Sequence, residues 1–144
     1  MDYDYVAEGV TIVRCGGKSE IDRFYRLYSE FGIPCFVIFD GDKQNIGKDD
    51  EKATIGKNHG ILQMFGCNDD FPDGIVHERY LGFEKRLEEN LYIGDIGRAK
   101  ALGLYIRTKK AIDNPEKVPE WVSKVIEKLN NLPNEAESIL QREE

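Results

Sequence analysis

Apolar positions along the chain fall into short blocks separated by glycines and polar turns, and the blocks differ in period. Residues 9–15, Gly-Val-Thr-Ile-Val-Arg-Cys, are mainly β-branched and apolar and stop at Gly16-Gly17, which predicts a strand ending in a tight turn. Ile21, Phe24, Tyr25, Leu27, Tyr28 and Phe31 then recur at spacings of three and four. That spacing predicts a helix, with Ser19 as N-cap, Asp22 three residues on, and Gly32 as its C-terminal stop. Pro34-Cys-Phe-Val-Ile-Phe-Asp40 is almost wholly apolar, the pattern of a strand buried on both faces of a parallel sheet. Strand, helix, strand makes a βαβ unit.

Further along, the pattern weakens. Gly41 to Gly47 is polar and turn-like, a weaker helix is expected over 49–65 despite Gly56 and Gly60, and 67–74 reads as loop. Ile75 to Phe83 alternates enough for a strand or extended segment, and 84–91 can start a short helix. Helices are expected over 97–112 and 116–132, the second with Trp121, Val122, Val125, Ile126 and Leu129 on one stripe. The fold class is therefore α/β: a small, mostly parallel sheet flanked by helices and followed by C-terminal helices. One domain over 1–132 and a polar tail over 133–144 account for the chain, with no repeat or interdomain linker.

Composition narrows the class. The 144 residues are one domain's worth, and 40% hydrophobic against 33% charged residues is enough apolar material for a core. No apolar run approaches the roughly 20 residues of a membrane span, and no signal-like segment opens the chain, so a soluble cytoplasmic protein with no membrane partner is expected. Cys15, Cys35 and Cys67 form an odd set without a CxxC pair, which suits a reducing compartment and speaks against a disulfide scaffold or a zinc site. The net charge of −7 removes the expectation of a basic nucleic-acid coat. It leaves open a metal-dependent enzyme acting on phosphates, where bound cations supply the positive charge.

Asp40-Gly41-Asp42 carries the most chemical weight. It ends the most apolar strand, and open α/β sheets place ligand sites beyond the carboxyl ends of their strands. If extended geometry persists for two more residues, side chains at i and i+2 point the same way and both carboxylates face one cation, a hard-oxygen pair suited to Mg²⁺ or Mn²⁺. The plain alternative is a strand ending in an Asp/Gly turn. Glu84 follows the next extended run and can bring a third carboxylate to the same edge, although on local sequence it reads first as an acid at a helix N-terminus. Lys100, in a basic stretch with Arg98, Arg107, Lys109 and Lys110, can neutralise a phosphate, although such runs are more often solvated helix faces.

Other patterns fall away. Gly17-Lys18-Ser19 is not a P-loop, because Ile12 stands where that motif needs glycine. Gln44 stands where haloacid-dehalogenase phosphatases carry a hydroxyl residue, which disfavours Asp40 as a phosphoryl nucleophile. His59 and His77 have no neighbouring ligand at metal spacing.

Taken in order, Gly9-Val-Thr-Ile-Val-Arg-Cys-Gly-Gly-Lys18, the amphipathic helix, Phe31-Gly-Ile-Pro-Cys-Phe-Val-Ile-Phe-Asp-Gly-Asp42, Phe83-Glu84 and Val118-Pro-Glu120 resemble the C-terminal TOPRIM domain of OLD-family (overcoming lysogenisation defect) ATP-dependent endonucleases, over about residues 6–130. The resemblance implies that Asp40 and Asp42 match the family's Asp-x-Asp metal pair and Glu84 a later acidic ligand. It also implies an assisting downstream lysine, for which Lys100 is the choice and Lys109 and Lys110 are rivals. Mg²⁺ or Mn²⁺ as cofactor, DNA as substrate and two-metal phosphodiester cleavage follow from the same likeness.

One departure stands out. The family's first acidic motif is expected upstream of the Gly-Lys turn; Glu8-Gly9-Val10-Thr11 looks like it, but Ile12 replaces the second acid. The expectation is a partial TOPRIM domain, weak or inactive alone, that needs the family's N-terminal ATPase module in the same or another chain. An incomplete sheet also invites homodimerisation or another partner. The rival expectation is a noncatalytic interaction module that uses the sheet edge and the Trp121 helix.

Overall fold

The computed structural model describes residues 4, 6–90 and 118–132. The helix expected over 97–112, the tail from 133, and Lys100, Lys109 and Lys110 lie outside them.

The first helix, α1 (Lys18–Glu30), forms where the three-four spacing predicts it. Its N-cap is Gly17 rather than Ser19, which places Lys18 at the first helical position. Gly32 takes a left-handed φ of 66°, and its N–H and that of Ile33 return to the carbonyls of Ser29 and Tyr28. These bonds close the helix as a glycine just past its end should. Only Ile21 of the apolar stripe is fully buried; Leu27 and Phe31 remain exposed.

The apolar run yields β1 (Val37–Asp40), shorter than the expected 34–40. Helix α2 (Glu51–Met64) crosses to β2 (Tyr80–Phe83), which pairs with β1 in parallel. The register sets Val37 opposite Tyr80 and Asp40 opposite Phe83. The rest of the expected extended segment contributes one antiparallel bridge, Val76 to Leu81. After β2 the chain makes a 3-10 turn at Leu87–Asn90 in place of the expected short helix. The last described helix, α3 (Glu120–Asn130), lies within the expected 116–132.

The sheet divides two apolar clusters. Val37, Phe39 and Tyr80 pack with Ile21 of α1 and Ile61 and Leu62 of α2. Leu81 and Phe83, on the opposite face by strand alternation, pack with Val125, Trp121 and Leu129 of α3. Trp121 meets Phe83 edge-on at 5.2 Å, and its Nε1 donates to the Asn90 carbonyl at 3.2 Å. Both faces of β2 are buried, as its apolar run requires. Strand β1 is buried only on the side of Val37 and Phe39, and Ile38 on its other face is 46% exposed, which corrects the expectation that this strand is covered on both faces.

The strand expected over 9–15 is corrected. Residues 10–15 carry no regular structure, and Ile12 is 76% and Val13 42% exposed. A β-branched run becomes a strand only when a neighbour takes its N–H and C=O groups. Among the described residues, no backbone bond joins 10–15 to the sheet. No helix of the described residues is long and apolar enough to cross a membrane.

Candidate functional site

The Asp-Gly-Asp turn stands at the carboxyl end of β1, where the backbone leaves the sheet without losing contact with it. Gly41 N–H donates to the Phe83 carbonyl at 2.6 Å, Asp42 N–H to that of Lys85 at 2.9 Å, and Lys43 N–H to that of Glu84 at 3.0 Å. Gly41 is required by this proximity: a Cβ there would lie 2.6 Å from the Phe83 and Glu84 carbonyl oxygens and 2.7 Å from Pro72 Cγ. Asp42 then turns left-handed, with φ 54° and ψ 35°, and starts a 3-10 turn at Lys43–Asn45. Aspartate tolerates that region better than most residues. Extended geometry therefore ends before Asp42, and the expectation that strand alternation aims both carboxylates the same way is corrected.

Each carboxylate has its own partners. Asp40 Oδ1 accepts the Leu87 N–H at 2.8 Å, fixing the segment after β2. Asp42 Oδ2 pairs with Lys18 Nζ at 2.8 Å, its Oδ1 accepts Gln44 Nε2 at 2.9 Å, and Arg86 Nε stands 3.9 Å away. Burial pushes the Asp42 carboxyl up, but the hydrogen bond and charge of Lys18, aided by Gln44 and Arg86, outweigh it and hold the group below the usual carboxylate range. Glu84 directly follows β2, yet its half-exposed carboxylate pairs with Lys43 at 3.2 Å.

Two residues to which the sequence reading assigned no role at the site, Lys18 and Asn58, hold the turn. Lys18 Nζ donates to the Asp40 main-chain carbonyl at 2.9 Å and to Asn58 Oδ1 at 3.0 Å as well as to Asp42. Asn58, fully buried on α2, donates Nδ2 to the Gly41 carbonyl at 2.7 Å. The signal for Asn58 lies in its spacing: Thr54, Asn58, Ile61 and Leu62 form one buried stripe of α2, polar towards the turn and apolar beyond. Lys18 has a weaker signal, a lone cation in the Gly-Gly-Lys turn directly before a helix.

Residues 1–42 match the family model described as Overcoming lysogenization defect protein-like, TOPRIM domain. This stretch is similar to an OLD-like TOPRIM domain. The match ends on Asp42, so it contains the whole Asp-Gly-Asp turn. The mixed α/β architecture, a two-stranded parallel sheet with three described helices, is consistent with a TOPRIM-like fold. An OLD-like TOPRIM domain is a nuclease-family domain, and TOPRIM domains generally bind divalent metals. No curated protein and no solved structure matches the chain.

The donor chemistry of the Asp-Gly-Asp turn suits a hard cation, but the arrangement does not. Asp42 and Glu84 are each held by a lysine. No group of three or more His, Cys, Asp or Glu side chains able to hold a metal ion occurs among the described residues. A divalent site needs several oxygens brought together. A separate open hollow of about 490 Å³, lined in part by Tyr25, Phe65, Arg79 and Tyr80, adjoins the start of β2, the opposite strand end from the turn.

Proposed function

We propose that this chain supplies the Asp-Gly-Asp part of an OLD-type, metal-dependent DNA endonuclease and is weak or inactive alone. The observation that supports the reading is the position of Asp40-Gly41-Asp42: it closes the first strand of the parallel pair, bonded to the neighbouring strand end, and falls inside the stretch similar to an OLD-like TOPRIM domain. Asp40 and Asp42 act as ligands for Mg²⁺ or Mn²⁺ in this reading, with Glu84 beside them and Lys100 as the assisting cation. Weak activity alone follows because Asp42 and Glu84 must first leave their lysines. DNA is the substrate class, and the ATPase module of such nucleases is the partner that completes the site.

Calorimetric titration of the full chain with Mn²⁺ tests this. Asp40→Ala and Asp42→Ala are each expected to weaken binding; unchanged affinity in both overturns the nuclease reading. A second reading, a noncatalytic interaction module, draws on the exposed Val6, Ile12 and Val13 and on the lysine-neutralised carboxylates. It expects unchanged affinity in that titration.

A further inference from the structure

A positive charge is already seated in the Asp-Gly-Asp turn, and it belongs to the chain. Lys18 Nζ has three N–H groups and finds three oxygens: the Asp40 main-chain carbonyl at 2.9 Å, Asp42 Oδ2 at 2.8 Å and Asn58 Oδ1 at 3.0 Å. The oxygens come from the end of β1, the turn after it and the middle of α2. A carboxylate, a peptide carbonyl and an amide carbonyl are also the ligand types that hard divalent ions take. The amide is aimed without help from Lys18, because Nδ2 of the fully buried Asn58 is anchored on the Gly41 carbonyl at 2.7 Å, which leaves Oδ1 for the ammonium. The lysine side chain is only 16% exposed, so it is enclosed rather than resting on the surface.

We propose that Lys18 is a positioning residue that stands in for a divalent cation at this turn and competes with such an ion for Asp42. The inference rests on the reading of the turn as the cation-handling part of a nuclease-type domain. An incoming ion has to displace the ammonium from Asp42 Oδ2 and then sit close to its charge, and both effects oppose binding. A lysine that merely clasps the turn predicts the opposite sign: its removal loosens Asp42 and weakens ion binding.

The test is a Mn²⁺ titration of the full chain, with free Mn²⁺ followed by electron paramagnetic resonance and folding checked by circular dichroism. Lys18→Met is expected to bind Mn²⁺ about two- to fivefold more tightly than the unaltered chain, the scale of one lost ion pair. Mn²⁺ should also raise its thermal midpoint more than it raises that of the unaltered chain. Adding Asp42→Asn to Lys18→Met should abolish both gains. Unchanged or weaker Mn²⁺ binding by folded Lys18→Met overturns the proposal. Should Lys18→Met not fold, Lys18→Gln, which keeps hydrogen-bond donors without the charge, is read by the same criterion.

The two ideas fail separately. If Asp40→Ala and Asp42→Ala weaken binding but the Lys18 variants do not tighten it, the competition fails and the nuclease reading stands. If the Lys18 variants gain a site that Asp42→Asn removes, while the two alanine variants of the unaltered chain change nothing, the competition stands and the nuclease reading fails.

Discussion

Asn58 shows how much one buried amide can hold. Both of its ends are engaged, one on the Gly41 carbonyl and one on the Lys18 ammonium, in a position with no solvent exposure. Leucine there would strand the carbonyl and remove one acceptor from the charge. An unsatisfied buried polar group costs about 1–3 kcal/mol, so Asn58→Leu should lower the unfolding free energy by about that amount in urea denaturation. A loss no larger than that of a surface substitution would show the amide to be dispensable. Tyr80 gives a second residue-level outcome. Burial, followed by the nearby Cys67, Asp73 and Asp69, pushes its hydroxyl up to about 12. A pKa raised above the unfolded value means that the associated stability is complete below about 10 and drains away as pH rises through the folded value. Absorbance titration should show a late-ionising phase from Tyr80 that Tyr80→Phe removes. Absence of a late phase from the unaltered protein would contradict this burial.

The crossing from β1 into its turn depends on a missing side chain. Alanine at 41 would press its methyl against two backbone oxygens that cannot swing aside, 2.6 Å away, and against Pro72. Overpacking of this kind costs about 1–3 kcal/mol, and Gly41→Ala should lower the thermal midpoint accordingly, while alanine at Gly56, which meets nothing within 4 Å, should not. Equal midpoints for the two variants would show that the turn yields. The elements around this turn differed in how readily they could be foreseen. Helices α1 and α3 announce themselves by apolar residues three and four apart, and β1 by an unbroken apolar run, although only one face of that strand is buried and Ile38 on the other is exposed. Helix α2 is harder to read, since half of its buried stripe is Thr54 and Asn58, chosen for hydrogen bonding rather than transfer from water. The run at 9–15 misleads for the reverse reason: its composition suits a strand, but pairing is supplied by a neighbour and not by the run itself. At the site, Asp40 and Asp42 were legible as a pair at a strand end. The left-handed Asp42 and the reach of Lys18 across 24 residues were not, because neither leaves a local pattern.

Across the molecule, β2 joins the two halves of the core. Tyr80 packs on the side of α1 and α2, while Leu81 and Phe83 pack on the side of α3, so one four-residue strand serves both clusters. Phe83 is 2% exposed and lies against Trp121, the single tryptophan of the chain. Truncating a buried phenylalanine costs about 3–5 kcal/mol, and Phe83→Ala should combine such a loss with a red shift of tryptophan emission as α3 loosens. An unchanged spectrum with the same loss would mean that α3 stays docked without it. The same strand end meets the rim where Lys18 sits, and that arrangement has a physiological corollary. A free ion answers to its concentration in the surrounding solution, whereas a charge on a four-carbon stem does not. The ammonium of Lys18 therefore gathers three oxygens of the rim from within the chain, without drawing a charge from solution.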